Sequence, residues 1–189
     1  VHFVDMTGEG RIDENDRVVI GDPNPDIYGN IFAKVNWKDL TLSLGFNYSL
    51  GNDVFNYQRS ILNSGSTFYN QQVAEVGHWR YEGHEAVLPR LAYGDPMGNN
   101  RFSDRWIEDG SYLRLKNVRM TYRIPVPESW TSWLQSMSVW GEAQNVLTLT
   151  RYTGNDPEFS IGNHVMYQGI DCGNLAQSRA FVLGLRINL

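Results

Sequence analysis

Residues Leu40 to Leu50 alternate without a break. Leu40, Leu42, Leu44, Phe46, Tyr48 and Leu50 fall on one side of an extended chain, and Thr41, Ser43, Gly45, Asn47 and Ser49 on the other. Just before them, Ile31, Ala33, Val35 and Trp37 alternate with Asn30, Lys34 and Asn36, leaving Lys38 and Asp39 for a tight turn. Residues 28–37 and 39–50 therefore read as a hairpin. A third strand is predicted over 111–124, where Val118, Met120, Tyr122 and Ile124 alternate with Asn117, Arg119, Thr121 and Arg123. The apolar phase of Tyr112 to Leu115 is offset by one from this, which predicts a bulge near Lys116 and Asn117. Residues 137–149 alternate less regularly, with a similar slip near Asn145, and 179–189 set Phe181, Leu183, Leu185, Ile187 and Leu189 against Val182, Gly184, Arg186 and Asn188.

The connections between these strands alternate between short and long. The first pair is joined by a tight turn, and the third and fourth strands by a segment in which Ser129 to Leu134 has room for one helical turn. The other two connections, 51–110 and 150–178, far exceed an ordinary loop. A soluble sandwich has little reason to gather its long loops at one end, whereas an outer-membrane barrel has short turns on one side and long loops on the other. Each clear apolar face carries about five side chains, which matches the ~9–11 residues of a tilted membrane-crossing strand. Trp37, Tyr48, Tyr122 and Phe181 lie where an aromatic girdle would. Lys34, Arg119, Arg123, Glu142 and Arg186 all fall on the polar side, a pattern that a solvated outer face would also show. Loop asymmetry favours the barrel. Five strands alone would expose two edges and a large apolar patch, so the chain is expected to be part of a larger wall.

Composition narrows the class. The 189 residues are 41% hydrophobic and 13% aromatic, enough for a sizeable folded unit, and the net charge of −5 carries no Lys/Arg block that would mark nucleic-acid binding. Cys172 stands alone, which excludes an internal disulfide and a cysteine metal cluster. No stretch reaches the ~18 apolar residues of a spanning helix, and the opening VHFVDM lacks the features of a signal peptide. The mean hydropathy of −0.41 does not argue against a barrel, whose strands alternate.

The opening stretch carries one candidate site. Counted from Asp5, the residues Asp5, Thr7, Glu9, Gly10, Ile12, Asp13 and Asp16 occupy positions 1, 3, 5, 6, 8, 9 and 12 of a calcium loop. Asp5, Thr7, Glu9, the carbonyl of Arg11 and Asp16 are the expected direct ligands, with Asp13 acting through water and Gly10 providing the sharp turn. Glu9 is longer, and Asp16 shorter, than the usual residue at its position, and an Asp/Gly-rich turn without metal is the competing reading. Elsewhere His78 and His84 fit no zinc spacing, no nucleophile motif surrounds any serine, and no catalytic residue is assigned. The mix of Trp79, Arg80, Tyr81, Arg90, Tyr93 and Asn99 in the long loop suits sugar or peptide contact, but suits a lid contact or the loop's own packing better.

Four stretches, FVDMTGEGRIDENDRVVIGDPNPDIYG, NRFSDRWIEDGSYLRLKNVRMTYRIP, AQNVLTLTRYTGNDPE and GIDCGNLAQSRAFVLGLRINL, closely resemble the C-terminal region of SusC/RagA-type TonB-dependent outer-membrane transporters of Bacteroidetes. The resemblance implies an all-β fold, with residues 28–189 forming the last five antiparallel strands of a 22-stranded transmembrane β-barrel. Residues 1–27 would be an extracellular loop holding the calcium motif. It also implies import of glycan or oligopeptide, a SusD-like lipoprotein lid, and energy from the TonB complex acting through an N-terminal part absent here. The chain departs from the family pattern at Leu189, where a terminal Phe is usual, and at Thr7 and Glu9, where Asn and Asp are more frequent. The rival reading is a secreted β-sandwich carbohydrate-binding module with a structural calcium.

Overall fold

The computed structural model describes residues 1–159 and 164–189, so part of the expected loop 150–178 lies outside the described residues. Along the chain run β1 (Ile27–Trp37), β2 (Leu40–Leu50), β3 (Asp53–Asn56), α1 (Tyr57–Leu62), β4 (Ile107–Asp109), β5 (Tyr112–Ile124), β6 (Ser136–Thr150), β7 (Ile170–Asp171) and β8 (Ala180–Asn188). Among the described residues, no helix is long and apolar enough to cross a membrane. The chain divides into two compact units. One gathers Val1–Pro23, Asp53–Glu108 and the described residues of 160–174, and the other holds Asn24–Asn52, Asp109–Phe159 and Leu175–Leu189.

The second unit is a five-stranded antiparallel sheet in the order β1-β2-β5-β6-β8. These are the strands that alternation predicts. The turn between β1 and β2 is closed by Lys38 in the left-handed region at φ 51°, and the Arg123 N–H donates to the Asp39 carbonyl at 2.8 Å. Between β5 and β6 the expected helical turn is a 3₁₀ turn, Glu128–Trp130, started by Pro127. The Leu134 N–H then donates to the Trp130 carbonyl at 2.9 Å and places Leu134 among the few buried apolar side chains.

Register turns the alternation of each strand into a property of the sheet. Trp37, Leu40, Tyr122, Val139 and Leu185 form one cross-strand row, and Val35, Leu42, Met120, Gly141 and Leu183 the next. Ala33, Leu44, Val118, Ala143 and Phe181 form a third. On the opposite face the rows are Lys34, Ser43, Arg119, Glu142, Val182 and Asn36, Thr41, Thr121, Trp140, Gly184. Both expected slips are present. Pairing shifts between Leu115 and Asn117, and Asn145 adopts φ 52°, so that β6 loses and regains phase where β5 does.

The apolar rows are not buried. Val35 is 59% exposed, Met120 55%, Leu183 87% and Phe181 80%, a contiguous greasy surface that water would not tolerate on a folded monomer. The polar face is built more closely. Arg119 lies 4.0 Å over the Trp140 ring and 3.6 Å from Glu142. Two glycines make room for this layer: a Cβ at Gly184 would come within 2.5 Å of three Trp140 ring atoms, and one at Gly45 within 2.0 Å of the Asn117 amide oxygen.

The first unit has its own small core. Trp106 and Val54 are 1% exposed, β3 pairs with β7 in parallel, and the Phe55 and Phe102 rings meet edge-on at 4.8 Å. Asn56 caps α1 by accepting from the Arg59 N–H at 2.9 Å.

Two substitutions test the assignment of faces, each made in the full-length protein refolded into lipid. Leu44→Arg is expected to cost about 2–4 kcal/mol and Thr121→Arg far less, because only the first places a cation in hydrocarbon; equal costs would invert the reading. Gly184→Val is expected to cost about 1–3 kcal/mol by displacing Trp140, with loss of its near-ultraviolet dichroism.

Candidate functional site

Hydrogen bonds to two carboxylates shape the opening loop. Asp5 accepts from the N–H groups of Gly8 at 2.6 Å and Gly10 at 2.7 Å, and Asp16 from those of Met6 at 2.8 Å, Thr7 at 3.1 Å and Asp13 at 2.8 Å. The Thr7 hydroxyl lies 3.2 Å from an oxygen of each. The N–H of Gly10, then that of Gly8, holds Asp5 below the usual carboxylate range, and Asp16 is held down chiefly by the N–H of Asp13. The two carboxylates thus share one hydroxyl. Three expected ligands, Asp5, Thr7 and Asp16, come together. Glu9 instead faces Arg11 at 3.7 Å, and Asp13 caps the turn Glu14–Asp16 while pairing with Arg11 at 3.6 Å. Among the described residues no three acidic, imidazole or thiol groups converge, so the loop offers calcium two carboxylates and a hydroxyl, fewer than its usual six to eight oxygens.

A second constellation, invisible in the sequence, lies on the polar face of the sheet near the ends of the strands farthest from the tight turn. Arg114 on β5 is 2% exposed and is ion-paired with Asp156, while its Nη1 lies 3.0 Å from Glu158. Asp156 also accepts from the N–H groups of Glu158 and Gln177, both at 2.9 Å. Lys116 reaches Glu158 at 3.3 Å and the Gln177 amide oxygen at 2.6 Å. Two cations of β5 therefore hold both feet of the connection between β6 and β8. Burial would raise the Asp156 pKa, but the hydrogen bonds from Arg114 and the two backbone N–H groups outweigh it and hold the carboxyl below its ordinary value. Nothing local in the sequence marks this cluster, because Arg114 and Asp156 are 42 residues apart.

An open pocket of about 300 Å³ lies on the same unit, lined by Tyr28, Asn30, Asn47, Ser49, Tyr112 and Glu158 among others. Tyr28 and Tyr112 flank Ser49 in one cross-strand row, and Asn30, Asn47 and Arg114 form the next.

In the first unit Arg80, Tyr81 and Tyr93 of the long loop make contacts within the loop itself. Tyr93 stacks on Phe68 at 4.7 Å and Tyr81 on His84 at 5.1 Å, while Arg80 donates to the Val76 carbonyl at 2.9 Å. Arg59 pairs with Glu108 at 2.7 Å, and Arg105 lies 4.3 Å over Trp106. Burial pushes Glu75 up, with Arg105 and His78 pulling it back, and pushes Arg105 down. His78 and His84 stay apart in these separate contacts: a ring nitrogen of His78 lies 2.6 Å from the Glu75 carbonyl.

No family model matches the chain. It is 32% identical over 190 residues to TonB-dependent receptor P3 of Formosa agariphila, covering 98% of this chain and 18% of that protein. TonB-dependent receptor P26 of the same organism is 31% identical over 193 residues, covering 98% and 19%. SusC, a TonB-dependent receptor of Bacteroides thetaiotaomicron, is 26% identical over 188 residues, covering 98% and 17%. The chain thus spans less than a fifth of the length of these relatives. The RagAB peptide importer in its open-open state superposes with a TM-score of 0.73 at 26% identity, over 88% of this chain and 17% of that one. A second structure, of the RagAB peptide transporter, gives 0.79 at 24% identity over 94% and 19%, a likeness of fold.

Replacing Asp156 by Ala leaves the buried Arg114 with Glu158 as its remaining carboxylate among the described residues, and is expected to loosen the connection by about 1–3 kcal/mol. Hydrogen exchange at the Glu158 and Gln177 amides should accelerate while that of the β1–β2 hairpin is unchanged. Because the Asp156 pKa is depressed, its contribution is fully present above the ordinary value of 3.8 and lost as pH falls through the lower folded-state value. The wild-type amides should keep their protection at pH 4 and lose it only in stronger acid.

Proposed function

This chain belongs to the SusC/RagA type of TonB-dependent receptor, and on that premise we propose that the protein carrying it imports a nutrient, a glycan or an oligopeptide, across the bacterial outer membrane. The observation that carries the reading is the register: entire cross-strand rows are apolar on one face and polar or charged on the other. Against a sandwich stands the similarity to TonB-dependent receptors over 98% of the chain. In this reading β1, β2, β5, β6 and β8 are wall strands, outer-membrane lipid meets the rows containing Leu44 and Met120, and the rows containing Arg119 and Trp140 line a wet lumen. The role is passage rather than catalysis.

The names of the relatives support TonB as the energy source, and the family resemblance supports a lipoprotein partner. A SusD-like lipoprotein would close over the long loops, where Phe68 is 89% and Val87 97% exposed, and TonB would act through a part of the protein outside this chain. Calcium would act as a clip on the opening loop. Asp5, Thr7 and Asp16 would hold it, with the Arg11 carbonyl and a swing of Glu9 away from its cation completing the set. Its expected affinity is the about 10⁻⁴–10⁻³ M of extracellular modules.

Two measurements test these readings. Affinity purification of the tagged full-length protein from outer membranes is expected to bring a lipoprotein with it, and deletion of its gene to abolish growth on one glycan or peptide mixture; recovery in the soluble fraction would refute the proposal. Calcium at millimolar concentration is expected to protect residues 3–21 from proteolysis in the wild type and not in Asp5→Asn. Protection unaffected by calcium would remove the clip.

A further inference from the structure

We propose that Glu75 is a proton-operated latch inside the long loop: with its carboxyl neutral the turn Val73–Gly77 is held in place, and ionisation loosens that turn. The inference goes beyond the import reading and concerns the loop unit by itself. Glu75 lies at the centre of the 3₁₀ turn Val73–Gly77 and is 6% exposed, a burial that further chain around it can only deepen. One carboxyl oxygen, Oε1, is buried without a hydrogen-bond partner. The other lies over Gly65, where an added Cβ would come within 3.4 Å of it and within 2.6 Å of Leu91 Cδ2. Among the described residues no ion pair includes Glu75.

The charged groups around it are engaged elsewhere. Arg105 lies 4.3 Å over the Trp106 ring, and its Nη1 donates to the Asn99 carbonyl at 3.3 Å. Arg59 is paired with Glu108 at 2.7 Å, and a ring nitrogen of His78 lies 2.6 Å from the backbone carbonyl of Glu75. Asp95 accepts from the N–H groups of Asn99 and Asn100, both at 2.8 Å. The other orphaned polar atoms of this unit are mostly acceptors: Asn63 Oδ1, Asn100 Oδ1 and Ser103 Oγ, against Arg105 Nη2. The Asn100 amide is fixed in that sense, because its Nδ2 donates to the Ser64 carbonyl at 2.7 Å. A carboxylate adds further acceptors to such surroundings, whereas a neutral carboxyl supplies a donor. An unpaired buried charge is costly, and taking up a proton removes it. Burial is accordingly the chief cause that raises the Glu75 pKa, and the Arg105 and His78 charges offset it only in part.

Three backbone hydrogen bonds hold the turn. The Gln72 N–H donates to the Leu62 carbonyl at the end of α1 at 3.0 Å, the Glu75 N–H to Gln72 at 3.0 Å, and the His78 N–H to Glu75 at 3.2 Å. Because the Glu75 pKa is raised, its contribution is fully present below the ordinary value of 4.5 and lost as pH rises through the higher folded-state value. That sense is opposite to the one derived for Asp156, so the loop and the wall respond to pH in opposite directions.

The test follows hydrogen exchange in the full-length protein in detergent from about pH 5 to pH 8, read as protection factors so that the intrinsic pH dependence of exchange drops out. Protection of the Gln72, Glu75 and His78 amides is expected to fall as pH rises, by no more than about tenfold per pH unit, the limit for one proton. Glu75→Gln, a neutral group of the same shape, is expected to keep the acid-form protection throughout, with an intact barrel checked by heat-modifiable mobility. Infrared difference spectra of wild type against this variant in acid should contain the carbonyl stretch of a protonated carboxyl. Loosening of the turn in Glu75→Gln at every pH would overturn the latch, since Glu75 would then act as an anion toward Arg105. So would wild-type protection indifferent to pH, the absence of the carboxyl band, or a pH dependence that persists in Glu75→Gln; its loss in His78→Gln would assign that dependence to the imidazole.

Discussion

Every backbone N–H and C=O that meets hydrocarbon must be paired within the protein, and in this chain the pairing is made between strands whose side chains alternate. That constraint couples five separate sequence patterns into one. Had β5 paired with β2 one residue out of step, Arg119 would stand in the row of Leu44 and Met120 would face Ser43. The two bulges are where this coupling is maintained. The extra residue at Lys116 and the left-handed turn at Asn145 absorb the offset between the apolar phases on either side, so both halves of β5 and β6 keep their greasy side outward. Asn145 is anchored by donating from its side chain to the Ser178 carbonyl at 2.8 Å.

The bulge at Lys116 has a second consequence. It lies immediately before the regular run that begins at Asn117, and it leaves Arg114 and Lys116 to meet the acidic residues of the following connection. A buried guanidinium is costly unless paired, and here the pairing recruits residues from both ends of a long loop. Strand irregularity, charge burial and loop ordering are therefore one arrangement seen at three levels.

The loop unit is ordered by different means. Trp106 and Val54 supply a small apolar centre, and the guanidinium groups of Arg59 and Arg105 lie over the indole. Several polar atoms there, including Glu75 Oε1 and Asn63 Oδ1, are buried without protein partners, which suits an interior completed by water. The unit also leaves large apolar side chains such as Phe68 and Val87 exposed.

The order and phase of the five wall strands, the tight turn at Lys38 and both bulges were legible in the chain, because a period of two is a local property and survives without knowledge of partners. Also local is the acidic spacing from Asp5 to Asp16. The direction in which each of those side chains turns is not, and Glu9 faces Arg11 rather than the Asp5 and Asp16 carboxylates. The short strands β3, β4 and β7 gave no readable alternation, since two to four residues define no period. The pairing of β3 with β7 joins segments more than a hundred residues apart, Phe55 with Ile170 among them. The same holds for Arg114 with Asp156: sequence alone decided which residues share a face of a strand, and only the register of the sheet and the course of its long connections decided which of them meet.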